Sequence, residues 1–186
     1  QNVNSYRSGD NDFADLLRAC AIAAPEMRIR FTTSHPQDLS LKLIETIAEY
    51  DNLCNYIHLP VQSGSNRILD LMKREYTVGH YLSIMNSIKK IIPDVSLSTD
   101  IITGFCTETE DDHRMTLELM KEVEFDGAYM FKYSPREKTK AWIMKDDIDE
   151  MTKTRRLVEI VELQRDISEK KNLLTVGRDF EIVIEG

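Results

Sequence analysis

A chain of 186 residues, 41% hydrophobic and 30% charged, has room for one domain plus the start of another, and its composition is ordinary for a globular protein. Its apolar runs fall far short of a membrane span, and no secretory signal is evident, which argues against a membrane partner. A net charge of −8 argues against a protein that coats nucleic acid with its whole surface.

In chain order, strand-like and helix-like segments alternate. Arg28–Thr33 has strand character, and Pro36 blocks its continuation. Residues 39–50 carry Leu43, Ile44, Ile47 and Ala48 at helical spacing. Tyr56–Leu59 reads as a short strand ended by Pro60. Residues 65–74 and 78–92 follow as two helices, the first with a Ser-Gly-Ser start and the second closed by Pro93. Val95–Thr103 alternates and is β-branched, as a strand is. Residues 108–123 form a helix capped by Glu108 or Thr109, Gly127–Tyr133 a strand, and 147–174 a long helix stopped near Gly177; Phe180–Ile184 begins another strand. Repeated strand-then-helix units predict an α/β fold, part of a parallel (β/α) barrel, with an open doubly wound sheet as the alternative. The four strands should lie parallel and adjacent in chain order, with a domain boundary near residues 176–178. Functional residues then belong just beyond the strands' carboxyl ends.

Charge and cysteine placement add detail. Between Lys132 and Arg156 stand eight Lys/Arg against five acids, a basic strip on an acidic body. Such a strip fits either a phosphate backbone or a solvated helix start. Cys20, Cys54 and Cys106 match no compact metal-binding spacing. Cys20 and Cys54 read as buried small hydrophobes. An odd count without a secretion signal points to the reducing cytosol. Cys54 and Cys106 belong at opposite ends of the sheet, and Cys20 to a helix outside it.

Every strand exit turns abruptly polar. Thr32-Thr33-Ser34-His35-Pro36 follows the first strand and Pro60-Val61-Gln62-Ser63-Gly64-Ser65 the second. Asp100 to Phe105, with Gly104, end the third, and Tyr133-Ser134-Pro135-Arg136 the fourth. Small polar groups beside glycine admit a ligand closely, so four such exits at one barrel mouth predict a polar cofactor pocket. Helix capping by Ser63 and Ser65 is the plainer alternative for those two residues.

Six segments occur in register: RIRFTTSHP (28–36), HLPVQSGS (58–65), REYT (74–77), STDIITGF (98–105), TETEDD (107–112) and YSPR (133–136). In this order they resemble the MiaB family of radical S-adenosylmethionine tRNA methylthiotransferases, as does the opening QNVNSY. The resemblance implies residues 1–176 to be a radical-SAM partial barrel, later strands only, and 177–186 the first strand of a TRAM-like β-barrel. It implies S-adenosylmethionine as cofactor and two 4Fe–4S clusters in the parent protein. The expected product is a methylthio group on N6-isopentenyladenosine beside the tRNA anticodon, in the cytoplasm, with a flavodoxin-like electron donor. The cluster-binding CxxxCxxC does not occur in this sequence and is expected upstream of Gln1, so no metal ligand is assigned and the fragment alone is expected to be inactive. Where the family commonly has Pro-Gly before its Glu, this chain has Cys106-Thr107.

By position in that family, Gln62, Ser63 and Ser65 resemble the region touching the cofactor's ribose and amino-acid part, Asp100 and Gly104 the strand passing its adenine, and Asn2 and Asn4 the region near its amino group. Arg30 and Thr33 complete the cofactor set. Arg136, Lys138 and Tyr133 are the candidate tRNA contacts. Tyr129, Phe131 and Tyr133 share one strand face and read as core, with stacking on the target base as the alternative. His35 reads as a structural histidine rather than a general base. A sister enzyme acting on a ribosomal protein or another tRNA adenosine, and a non-catalytic α/β binding module, are the rival functions.

Overall fold

The computed structural model describes residues 2–32, 34–180 and 182. A two-residue hairpin, β1 (Arg7–Ser8) and β2 (Asn11–Asp12), leads into α1 (Phe13–Ala23), whose start is fixed by a reciprocal Asp12–Asp15 capping box. Then come α2 (Leu41–Glu49), β3 (Tyr56–His58), α3 (Asn66–Leu71), α4 (Val78–Ile91), β4 (Ser96–Thr103), α5 (Glu110–Val123), β5 (Gly127–Lys132) and α6 (Glu150–Leu173). Ser40, Ser65, Thr77, Thr109 and Asp149 each cap the helix that follows by accepting a backbone N–H, which ends the strand exits and aims the helices.

β3, β4 and β5 form one sheet in that order, both pairings parallel. The segment expected as a first strand is reduced to one parallel bridge, Ile29 to Leu53. Ile29 exchanges two backbone hydrogen bonds with residues 52 and 54. Its partner, Leu53, stands ahead of β3, and the pairing does not continue along β3 itself. Four adjacent strands are therefore three plus a bridged edge. The expected strand 180–184 and the 177–186 unit fall in large part outside the described residues; Arg178, Asp179, Phe180 and Ile182 are not in a strand.

Helices cover one face of this sheet. Leu97 and Ile101 of β4 and Ile57 of β3 point into a core with Leu43, Ile47, Tyr81, Met85, Met120 and Phe125, all essentially inaccessible. Burial of this apolar surface is the main stabilising term. Gly64 is required by packing: a Cβ there would stand 2.4 Å from the Met115 carbonyl oxygen and 2.6 Å from Thr116 Cα. Among the described residues no helix is long and apolar enough to cross a membrane.

The cysteines differ in part from expectation. Cys20 is exposed on α1 and Cys54 half-buried; Cys106 is the buried one, packed with Ile68 and Phe105. On α1 the buried face is made by Phe13, Ala14, Leu17 and Ala21, which leaves Cys20 on the solvent side. Half of the basic strip is consumed internally. Lys153 and Arg156 are buried, bonding Asp146, Glu108 and Glu110, while Arg155 bonds Glu110 and Glu159. Among the described residues Arg136 and Lys138 have no ion pair and stay exposed, on the 133–139 loop beyond β5.

Candidate cofactor site

The opposite face of the sheet is open. Along β4, residues alternate: Leu97, Thr99, Ile101 and Thr103 face the helices, while Ser98, Asp100 and Ile102 face outward. On β5 the same alternation leaves Ala128 and Met130 against the core and turns Tyr129 and Phe131 outward, 59% and 53% exposed. The expectation that these rings are core is corrected: the core lies on the other face, and no helix of the described residues covers this one. Beside them stand Tyr56 and His58 of β3. The Arg30 guanidinium lies 3.8 Å above the Tyr56 ring, so this side chain points across the open face.

At the carboxyl ends of the strands this face deepens into a cleft of about 530 Å³ lined by Gln62, Asp100, Ile102, Phe131, Tyr133 and Arg136, with Arg74 on its rim. Gln62 is held there in an unusual way. Its φ is +70°, in the left-handed region that glycine favours, and two backbone bonds fix it: its N–H donates to the Asp100 carbonyl at 2.8 Å and its carbonyl accepts from Ile102 at 2.9 Å. A non-glycine residue in that region carries strain that the surroundings must outweigh, a feature concentrated at ligand sites. Burial pushes the Tyr133 hydroxyl up to about 12, reinforced by neighbouring Cys106, so it is a neutral donor at physiological pH.

The other predicted residues are dispersed. Ser63 and Ser65 are buried beneath the cleft and bond α5: the Ser63 hydroxyl lies 3.4 Å from that of Thr116, and Ser65 donates to Asp112 while capping α3. Gly104, φ +72°, backs onto α6, where a Cβ would stand 2.4 Å from Lys153 Cγ; its N–H donates to Glu108 Oε1 at 2.9 Å. Asn2 donates to Asp38, and Asn4 is buried, accepting from Ser34 Oγ at 3.3 Å with its own Nδ2 unpartnered among the described residues. Thr33 lies outside the described residues. His35 caps a short 3-10 turn, accepting from the Gln37 N–H, and packs edge-on against Tyr76; burial, with Arg74, pushes its imidazole down. That arrangement suits a structural histidine.

Asp112 shows what the buried serines do. Burial alone would raise its carboxyl, but hydrogen bonds from Arg67, Ser65 and Thr109 outweigh this and hold it well below the usual carboxylate range. The QSGS loop is thereby locked to the start of α5, and Gln62, at its head, is aimed into the cleft. Sequence reading did not single out His58. The signal was available: Tyr56 and His58 on one strand and Ser98 and Asp100 on the next repeat polar residues at period two on one face.

A second cavity of about 500 Å³ lies at the strands' amino ends, lined by Arg28, Tyr50, Asp51, Cys54, Asn55 and Asp94 among others. Its lining comes largely from the turns closing α2 and α4, and none of its residues has the left-handed backbone that Gln62 shows.

The sheet, the alternation and the cleft at the carboxyl ends define a partial (β/α) barrel built to take a ligand at one mouth. The Radical SAM superfamily model matches residues 6–120, and the chain belongs to that superfamily. More particularly, it is 53% identical over its whole length to a protein of Azobacteroides pseudotrichonymphae named tRNA-2-methylthio-N(6)-dimethylallyladenosine synthase. It is likewise 53% identical to the protein of that name from Chlorobium chlorochromatii, and 51% to the one from Bacteroides thetaiotaomicron. The chain spans 42% of the length of each of these relatives. Among solved structures, coproporphyrinogen III oxidase of Escherichia coli, a radical SAM enzyme, superposes with a TM-score of 0.60 at 20% identity over 72% of this chain and 31% of that one. Archaeal Elp3 of Methanocaldococcus infernus superposes with a TM-score of 0.52 at 16% identity, over 89% of this chain and 38% of that one. These two likenesses concern the fold.

The open cleft fits S-adenosylmethionine: the part-exposed Asp100 carboxylate, the Gln62 amide on strained backbone, a neutral phenol and the Phe131 ring suit a charged nucleoside. The residues present do not fit an iron–sulfur cluster. Among the described residues no three of His, Cys, Asp or Glu lie together as a metal site. Cys54 and Cys106 lie beyond opposite ends of the sheet, with Cys20 on α1.

Proposed function

We propose that the chain is the cofactor-binding barrel portion of a tRNA methylthiotransferase that places a methylthio group on N6-isopentenyladenosine next to the anticodon. The observation that carries this reading is the polar, aromatic cleft at the strands' carboxyl ends, in a chain 53% identical throughout to proteins named for that reaction. S-adenosylmethionine, when bound beside a reducible cluster, supplies both a carbon-centred radical and a methyl group. The chain's own part is binding and orientation. Gln62 and Asp100 offer hydrogen-bond acceptors to the cofactor's hydroxyl or amino donors, and Ile102 and Phe131 give its base an apolar wall. On the cleft's far side the Tyr133 hydroxyl donates to the Ala141 carbonyl at 3.4 Å and keeps its lone pairs to accept from the cofactor. Arg136 and Lys138, exposed and unpaired on the loop beyond β5, take tRNA phosphates. Two 4Fe–4S clusters, an external flavodoxin-like electron donor, a TRAM-like unit from residue 177 and a cytoplasmic setting belong to the same reading of the parent protein. So does a 1–176 barrel without its cluster loop.

Nucleoside analysis of bulk tRNA tests it. A strain lacking the parent gene should lose methylthio-isopentenyladenosine and accumulate the unthiolated nucleoside. The wild-type gene should restore the product and an Asp100→Ala gene should not. Unchanged tRNA in the deletion strain, with a ribosomal protein losing a methylthio group instead, would assign the sister reaction.

A further inference from the structure

On the open face, below the cleft, Tyr56, Ser98 and His58 form a hydrogen-bonded row across β3 and β4, and Asp100 stands at its end within ion-pair distance of the imidazole. Ser98 Oγ lies 2.6 Å from the Tyr56 hydroxyl and 2.9 Å from His58 Nδ1. His58 Nε2 lies 3.4 Å from Asp100 Oδ1. The imidazole is largely buried, and the Tyr129 ring packs edge-on against it at 5.8 Å. Asp100 is less buried, its side chain 29% exposed, and its other oxygen has no partner among the described residues.

We propose that His58 is a positioning residue for Asp100, setting that carboxylate so that its free oxygen faces the hydroxyl or amino donors of a nucleoside in the cleft. Proton counting carries the argument. A serine hydroxyl has one proton to give and accepts through its lone pairs. If Tyr56 donates to Ser98 and Ser98 donates to Nδ1, the neutral imidazole carries its proton on Nε2, where it meets the carboxylate. If the row runs the other way, Nδ1 keeps the proton and the bare Nε2 lone pair faces a negative oxygen, which is repulsive. Of the two neutral forms, only the first satisfies every member. The second nitrogen of a histidine commonly sets what the first one does, and here Ser98 fixes the tautomer. At 3.4 Å the Nε2–Oδ1 approach is longer than a good N–H···O bond, so the carboxylate is steered and keeps acceptor capacity for a ligand. Glutamine in place of His58 keeps a donor near the Nε2 position; alanine keeps none.

The ligand named here rests on the function proposed above, so the test reads the residue and the ligand separately. Ring-nitrogen NMR on the 186-residue chain, under mildly alkaline conditions, reports the His58 tautomer, and calorimetry reports affinity for S-adenosylmethionine. The expected result is the Nε2–H tautomer in the wild-type chain and a mixture in Ser98→Ala. Affinity should be about tenfold weaker in His58→Ala and mostly recovered in His58→Gln, as for loss and return of one charge-assisted contact. An Nδ1–H tautomer, or His58→Ala binding as wild type, would overturn the assignment. Should the wild-type chain bind no S-adenosylmethionine, the cleft reading fails, and the tautomers of wild type and Ser98→Ala still decide the direction of the row.

Discussion

The two faces of one three-stranded sheet have opposite chemistry. Towards the helices, Ile57, Leu97 and Ile101 are sealed in an apolar core. On the open face, residues of the same strands are Tyr56, His58, Ser98, Asp100, Tyr129 and Phe131. A parallel sheet packed on both faces has near-continuous apolar strands. Polar and ring-bearing residues recurring on one face of a parallel sheet therefore mark that face as a surface kept for something other than the core. The difference teaches that stability and ligand recognition are separated here by a single residue step along each strand.

Breaking the core face should have the largest effect on stability. Phe125→Ala removes an inaccessible ring between α4 and the sheet and should cost about 3–5 kcal/mol, read as a large fall in thermal midpoint. Gly64→Ala should cost roughly 1–3 kcal/mol, because the new methyl strikes backbone rather than a movable side chain. Acid should act through Asp112. Its folded carboxyl titrates below its unfolded value, so its stabilisation is present above the ordinary carboxylate range and is lost as pH falls through the folded value. Asp112→Asn should flatten that acid limb in denaturant titrations at stepped pH. On the open face the pattern reverses. Tyr129→Ala and Phe131→Ala should each move stability by no more than about 0.5 kcal/mol, since both rings are more than half exposed. Phe131→Ala should nevertheless weaken S-adenosylmethionine about tenfold by calorimetry. Smallest per residue, Arg136→Ala should lower the salt dependence of tRNA binding by about one phosphate contact in a filter-binding series, leaving the fold untouched.

Much of this was legible in the sequence, and the exceptions have physical causes. Alternation located β4 and β5 and the helices between them, and the polar exits at Gln62, Asp100 and Tyr133 do converge on one cleft. Alternation cannot say which face a neighbour will cover, so Tyr129 and Phe131 read as core. A hydroxyl's identity does not reveal its partner: Ser63 and Ser65 resemble ligand groups but bond Thr116 and Asp112, some fifty residues away. The basic strip read as open charge because pairing of Arg156 with Glu108 joins residues far apart in sequence. Residues 28–33 have the composition of a strand, but only Ile29 pairs, and it pairs with Leu53 ahead of β3 rather than with β3, which composition does not reveal. The helix expected around Cys20 is α1, and its start is legible in the Asp12-x-x-Asp15 box.

On this reading the open cleft, rather than the similarly sized cavity at the sheet's other end, receives S-adenosylmethionine. Amide and methyl NMR mapping of the 186-residue chain titrated with that cofactor tests it most directly. The account predicts saturable shifts at Gln62, Asp100, Ile102, Phe131 and Tyr133, with the residues around Tyr50, Cys54 and Asp94 unmoved. Shifts confined to the Tyr50–Cys54–Asp94 cavity, or none at any concentration, would contradict it.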